Sequence, residues 1–316
     1  MSPVLPTHNE AHSSASTASP GDDEKSRREQ TNLVRPGNLA GRNHLIAILG
    51  EFVGTFFFLL FSLGGTSVAL QAANSVTGNI NPAGASVANS DNLLYIALVF
   101  GVSLAACVWV FFRVSGGLFN PAVTLAFVVT KNISPLRGVY LTIAQFAGGL
   151  AGAAVADGLT PGPLLAATTL GGGASIVQGL FLEMFMTSML VLTILMTAVE
   201  KHRATMAAPI AIGMSFFVCE AFSVYYTGGS LNPARSLAPA AVNKSFPGYF
   251  WIYFLGPVLG SLLAVAFYML LKHLQYETNL GPDCDGDGYT HAYDQDARAR
   301  LDRIENLLAR TAERTV

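Results

Sequence analysis

Charge is what this chain has least of. Asp, Glu, Lys and Arg make up 12% of its 316 residues, against 51% hydrophobic residues, and the mean hydropathy is +0.45. Soluble domains carry about twice that share of charge, so the shortage excludes an ordinary soluble fold and points to a polytopic membrane protein. Cysteine is scarce too. Cys107, Cys219 and Cys284 match neither a disulfide framework nor a zinc spacing, and they read as inert thiols. The apolar segments hold no set of nucleophile, base and orienting group and no metal cluster, so neither an enzyme nor a cofactor is expected. No nucleic-acid partner is expected. Two stretches, 71–92 and 157–175, contain no Lys or Arg at all.

What is present is a series of apolar segments. A helix takes about 20 residues to cross about 30 Å of hydrocarbon. Segments of this kind run from about Leu45 to Leu70, Leu93 to Phe112, Gly138 to Ala156, Ile176 to Val199, Thr205 to Tyr226 and Tyr249 to Leu271. Residues 1–41 are polar, without an apolar core, and read as a disordered cytosolic tail. The membrane-embedded domain covers 42–275, with repeat one at about 45–157 and repeat two at about 176–272. Residues 276–316 form a second cytosolic tail. Glu51 with Thr55 and Glu183 with Thr187 occupy matching places at the start of each half. Three spans per half is an odd number, so the halves insert with opposite orientation. Lys25, Arg27, Arg28, Arg35, Arg42, Lys131, Arg137, Lys201, Arg203 and Lys272 then fall on one side and the two stretches without basic residues on the other. By the positive-inside rule both termini are cytosolic.

Two short stretches repeat each other 112 positions apart, Gly116-Gly117-Leu118-Phe119-Asn120-Pro121-Ala122-Val123-Thr124 and Gly228-Gly229-Ser230-Leu231-Asn232-Pro233-Ala234-Arg235-Ser236. In each, glycines release the chain into a turn, Asn takes the N-cap, and Pro fits the first helical position because its missing N–H has no partner there anyway. The apolar stretches that follow, to about Thr130 and Val242, are too short to span. Half-helices at membrane depth are tolerated only where protein buries them or they line a water-filled cavity. Entering from opposite faces, their N-termini meet near the midplane, each with a partial positive charge of roughly half an elementary unit. Cations and protons are repelled there, while the Asn amides donate to a passing oxygen. These paired Asn-Pro-Ala motifs resemble those of the aquaporin (major intrinsic protein) family over roughly residues 45–275. The resemblance implies an all-α membrane protein of six transmembrane helices plus two re-entrant half-helices in an inverted repeat. A third Asn-Pro-Ala, Asn81-Pro82-Ala83, is followed by small polar residues instead of an apolar helix and reads as surface loop.

The resemblance also assigns a filter. Arg235, directly after the second motif, is an intramembrane cation that would donate to the permeant molecule or pin loop carbonyls. Ser236 stands where glycerol-conducting relatives usually carry Asp, which favours the water-type branch. Counting along the family pattern, the other filter positions are Phe100, Glu220 and Gly229. Glu220 departs from the His usual in water-selective relatives. The expectation is that Glu220 either pairs with Arg235 or accepts hydrogen bonds from solutes with several donors, the alternative being a brace for a loop backbone. Glu51 and Glu183 are expected to support the re-entrant loops, Thr124 and Ser236 to cap the first turns, and Phe119 and Leu231 to line the wall. Gly148, Gly149, Gly152, Gly256 and Gly260 would permit close helix crossing.

The tails add weaker signals. Asp283, Asp285, Asp287, Gly288 and Asp294 fall at positions 1, 3, 5, 6 and 12 of a calcium loop, where alternate oxygen ligands and a turn glycine are needed, or form a solvated acidic turn. Residues 295–312 place Leu301, Ile304 and Leu308 on one helical face. Ser134-Pro135 and Arg28 with Thr31 fit common phosphorylation signals. The function expected is passive permeation of water, with small neutral solutes such as hydrogen peroxide, while ions are excluded. Its partners are permeant molecules, membrane lipid and, from the resemblance, three further copies in a homotetramer, with the plasma membrane favoured. The rival readings are a solute channel with little water flux, a coupled transporter using Glu220 as relay, or a structural membrane protein.

Overall fold

A computed structural model describes residues 36–76, 90–279 and 299–304. Among the described residues, eight α-helices of nine residues or more follow in order: α1 Pro36–Val76, α2 Ser90–Phe111, α3 Pro121–Val129, α4 Pro135–Leu159, α5 Ile176–Ile194, α6 Ala208–Thr227, α7 Pro233–Val242 and α8 Ile252–His273. There is no strand among the described residues. Six of these segments are long and apolar enough to cross a membrane. The other two, α3 with 9 residues and α7 with 10, reach only about 15 Å. The fold is therefore the all-α bundle of six spans and two half-helices.

Boundaries differ from the expectation where local chemistry carries a helix further. α1 begins at Pro36, inside the stretch read as tail, because proline is preset for a first helical position. The fourth span is not one regular helix: α5 ends at Ile194 and a π turn runs Leu195–Val199. Ser134 caps α4, its Oγ accepting from Arg137 N at 3.3 Å. The third Asn-Pro-Ala at 81–83, the acidic residues Asp283, Asp285, Asp287 and Asp294, Thr31 and Leu308 lie outside the described residues. Residues 299–304 are helical, with Leu301 and Ile304 exposed.

Helix packing follows the small residues. A Cβ on Gly148 would stand 2.3 Å from Phe52 O, and one on Gly260 2.2 Å from Met184 O, so α4 lies on α1 and α8 on α5 with backbones in contact. Gly101 and Gly213, equivalent in the two repeats, face each other. A Cβ on either would meet the other's carbonyl oxygen at 2.7 or 2.5 Å, which places the α2–α6 crossing on the axis relating the halves. Polarity runs inside out. Arg235, Glu51, Glu183, Glu220, Asn120, Asn232 and Gln145 are buried, while Val110, Ile143, Val177 and Met214 are exposed, as a lipid-facing belt requires. At one end, Glu200 accepts from the Tyr268 hydroxyl and from Lys272, which also pairs with Glu277. These contacts tie the turn after the π segment to the end of α8.

Candidate functional site

The two half-helix loops are built alike. Gly116 and Gly117 have φ of 106° and 65°, Gly228 and Gly229 of 79° and 62°, and in each loop one non-glycine, Phe119 at 49° or Leu231 at 51°, also takes a left-handed conformation. Such residues persist only where the surroundings over-determine them. Here a buried carboxylate does so. Glu51 Oε1 and Oε2 accept from Leu118 N at 3.0 Å and Phe119 N at 2.8 Å, and Glu183 accepts from Ser230 N and Leu231 N at the same two distances. Each acid holds the two amides immediately before its Asn.

The Asn side chains then join the loops. Asn120 Oδ1 accepts from Ala122 N at 2.9 Å and Asn232 Oδ1 from Ala234 N at 2.9 Å, so both cap their helices from an extended backbone. Pro121 and Pro233 occupy the first turns. Asn120 Nδ2 donates to Leu231 O at 2.8 Å, and Asn232 Nδ2 donates to Phe119 O at 2.9 Å. This reciprocal brace brings the two N-termini together, and it uses one of the two hydrogens on each amide. Of the expected first-turn caps, Thr124 Oγ1 bonds Asn120 O at 3.1 Å, whereas Ser236 Oγ turns to Ser230 Oγ at 2.6 Å.

Arg235 is fully buried. Its guanidinium donates to Ala166 O at 2.7 Å and Gly228 O at 2.9 Å, and its Cζ lies 4.8 Å from the centre of the Phe100 ring, a cation–π contact. Nε has no partner. Of the five N–H donors, two are thus spent on loop carbonyls. Glu220 is also fully buried, and neither of its carboxylate oxygens has a hydrogen-bond partner. The expected direct pair of Glu220 with Arg235 is therefore not made, and neither is a hydrogen-bonded brace to a loop. The guanidinium is drawn to the carbonyls instead. Glu220 Oε2 lies against Gly229, only 1.7 Å from where a Cβ would stand, so the missing side chain at 229 is what admits the carboxylate.

Several partners were not foreseen from sequence. Ser115 Oγ donates to Glu51 Oε1 at 2.6 Å and accepts from Gly117 N at 3.2 Å, and Thr227 Oγ1 accepts from Gly229 N at 3.2 Å. Both hydroxyls stand five residues before their Asn, a signal that the internal repeat carries. Gln145 Nε2 reaches Glu51 Oε2 and Thr124 Oγ1, each at 2.8 Å, and nothing in its local sequence marks it. A cavity of about 240 Å³ opens beside Ser115–Leu118 and is also lined by Ile194, Ala198 and Ile212.

Comparison with known proteins agrees with this geometry. The model of the major intrinsic protein family matches residues 39–268. The chain is 49% identical to Aquaporin-7 of Botryotinia fuckeliana over 263 residues, 83% of this chain and 57% of that protein. It is 52% identical to Aquaporin-2 of the same organism over 237 residues, 75% and 61% of the two chains. It thus spans little more than half the length of these curated relatives. The X-ray structure of the aquaglyceroporin from Plasmodium falciparum shares the fold, with a TM-score of 0.59 at 21% identity, covering 71% of this chain and 95% of that one. With a family match across most of its length and two capped half-helices braced end to end, the chain belongs to the major intrinsic protein family.

Proposed function

We propose that the chain is a passive transmembrane pore for water and small neutral solutes, excluding protons and ions. The observation that carries this reading is the reciprocal brace of Asn120 and Asn232. It holds two helix N-termini face to face at the centre of an apolar bundle, where their partial positive charges oppose cations. Arg235 adds a full positive charge next to Phe100. Phe100, Glu220, Gly229 and Arg235 form the filter in this reading, and Glu51 and Glu183 hold the loops that present it.

Glu220 favours a permeant with donor hydrogens. A buried acceptor with no protein partner costs about 1–3 kcal/mol, more for a charged group, and a hydroxyl-bearing or amine solute crossing beside it offsets that cost in transit. The class of solute is therefore small, neutral and rich in donors, with hydrogen peroxide, ammonia and short polyols as members. In this reading both termini lie in the cytosol, which the basic residues named above support by the positive-inside rule, Lys244 being an exposed exception beside α7, and assembly as a homotetramer in the plasma membrane completes the proposal.

The test is stopped-flow light scattering of proteoliposomes shrinking under an impermeant osmolyte, beside protein-free liposomes. Shrinkage well above the protein-free rate is expected, with peroxide uptake that falls in a Glu220→His variant. A Glu220→His variant with unchanged water and peroxide permeabilities removes Glu220 from the filter. A wild-type rate equal to the protein-free control for every solute tried removes the pore.

A further inference from the structure

Two phenylalanines that the filter does not account for, Phe58 and Phe216, meet the filter residue Phe100. Phe58 of α1, Phe100 of α2 and Phe216 of α6 are all fully buried. They contact one another edge to face, with ring centroids 6.3 Å apart for Phe58–Phe100, 5.9 Å for Phe58–Phe216 and 5.8 Å for Phe100–Phe216. At these separations the rings are in van der Waals contact. Phe216 stands one helical turn before Glu220, on the same face of α6. It is about 6 Å deeper in the bundle along that helix, toward the level of the two Asn. Above the cluster, the Arg235 guanidinium covers the Phe100 ring.

Filling a bundle core is the alternative role for such rings, and the internal repeat distinguishes the two. Phe100 stands as far before Asn120 as Ile212 before Asn232, Phe216 as far before Asn232 as Leu104 before Asn120, and Phe58 as far after Glu51 as Leu190 after Glu183. Of the three counterparts Ile212 lines the cavity beside Ser115–Leu118, while Leu104 and Leu190 are buried, so the position matching Phe100 faces open space in one half. The inverted relation of the halves puts Phe100, with its two neighbours, in the matching place in the other. The two halves differ in what they place there: Leu104, Leu190 and Ile212 are aliphatic, and their counterparts are three contacting phenyl rings.

We propose that Phe58, Phe100 and Phe216 form a second, apolar constriction in series with the Glu220–Arg235 site, and that the side chain at 216 sets the rate and the size limit of permeation. The inference rests on the pore reading above. Water passes only when a ring swings aside, so the aromatic cluster limits flux and excludes larger solutes whatever Glu220 and Arg235 would accept.

The experiment uses the full chain in proteoliposomes, comparing wild type with Phe216→Val, Phe216→Leu, Phe216→Trp and Phe58→Leu. Water permeability is read from shrinkage rates and glycerol entry from re-swelling, with a monodisperse elution profile required of each variant. The expected order of water permeability is Val, Leu, wild type, Trp. Phe216→Val should gain about tenfold, the change that about 1.4 kcal/mol off a barrier gives, and its glycerol-to-water ratio should rise. Conduction by wild type with a flat series, or loss of flux in well-folded Phe216→Val and Phe58→Leu, overturns the constriction and leaves the pore standing. Conduction by Phe216→Val when wild type is silent supports both. Silence in every variant overturns both.

Discussion

Glu51 and Glu183 show what a single buried acid does in this fold. Each accepts two backbone amides that would otherwise be unpaired beside a left-handed residue. A Gln in the same place presents one oxygen and one donor, so one amide loses its acceptor. Glu51→Gln and Glu183→Gln should therefore each destabilise the protein by about 1–3 kcal/mol, read as a lower thermal unfolding midpoint in detergent. Equal midpoints for wild type and both variants would mean that the loops hold themselves. Glu220 and Gly229 make a tighter pair. Gly229→Ala places a methyl where Glu220 Oε2 now lies and adds a side chain at a φ of 62°, which costs roughly 1–2 kcal/mol by itself. In the Glu220→Ala background the steric part vanishes and only the backbone part remains. A double-mutant cycle on unfolding midpoints should thus show coupling, and additive effects would contradict the contact.

At the scale of elements, α3 and α7 depend on each other. Their caps are ordinary, but each cap residue also donates to the other loop. Asn120→Ala and Asn232→Ala each remove a cap worth about 1 kcal/mol and one of two braces between the same loops. The expected result is loss of water permeability in both and a double variant less destabilised than the sum, since the second brace is strained once the first is gone. At the bundle end, the Lys272 ammonium beside Glu277 holds that carboxyl below its ordinary range. A depressed folded pKa contributes stability above the unfolded value of about 4.3, and that contribution is lost as pH falls through the lower folded value. The pair is exposed, so the effect is small: the unfolding midpoint of wild type should exceed that of Glu277→Gln by a narrow margin at pH 7 and converge with it below about pH 4.

For the whole molecule, the inverted polarity sets what solvent it accepts. Exposed Val, Ile, Met and Phe cover the outside, and the ionisable and amide side chains are buried at the centre. Taking those centre groups out of water is tolerable only because each loop is tied to acids, caps and the opposite loop. The same centre should pass no protons: with a pH-sensitive dye inside proteoliposomes, an imposed proton gradient should decay no faster than in protein-free ones, even where osmotic shrinkage is fast. Faster decay would put the half-helix dipoles and Arg235 aside as the barrier.

Most of the architecture was legible in the chain. Six apolar segments, two glycine-to-Asn-Pro-Ala turns and a matching Glu at the start of each half are local patterns, set by hydrocarbon thickness, by cap chemistry and by the internal duplication. The loop-supporting geometry at Glu51 and Glu183 follows from positions that repeat. What only the tertiary structure decided are relations between residues far apart in sequence. Arg235 turns to Ala166 O and Gly228 O instead of Glu220, because the loops offer a carbonyl to each of its two terminal nitrogens. Gln145 becomes a ligand of Glu51 by the crossing of α4 on α1, and Phe58 and Phe216 join Phe100 because the spans converge there. Periodicity fixes which face of a helix is apolar. It does not fix which apolar residues touch, and that is decided by how closely glycines such as Gly101 and Gly213 let the helices approach.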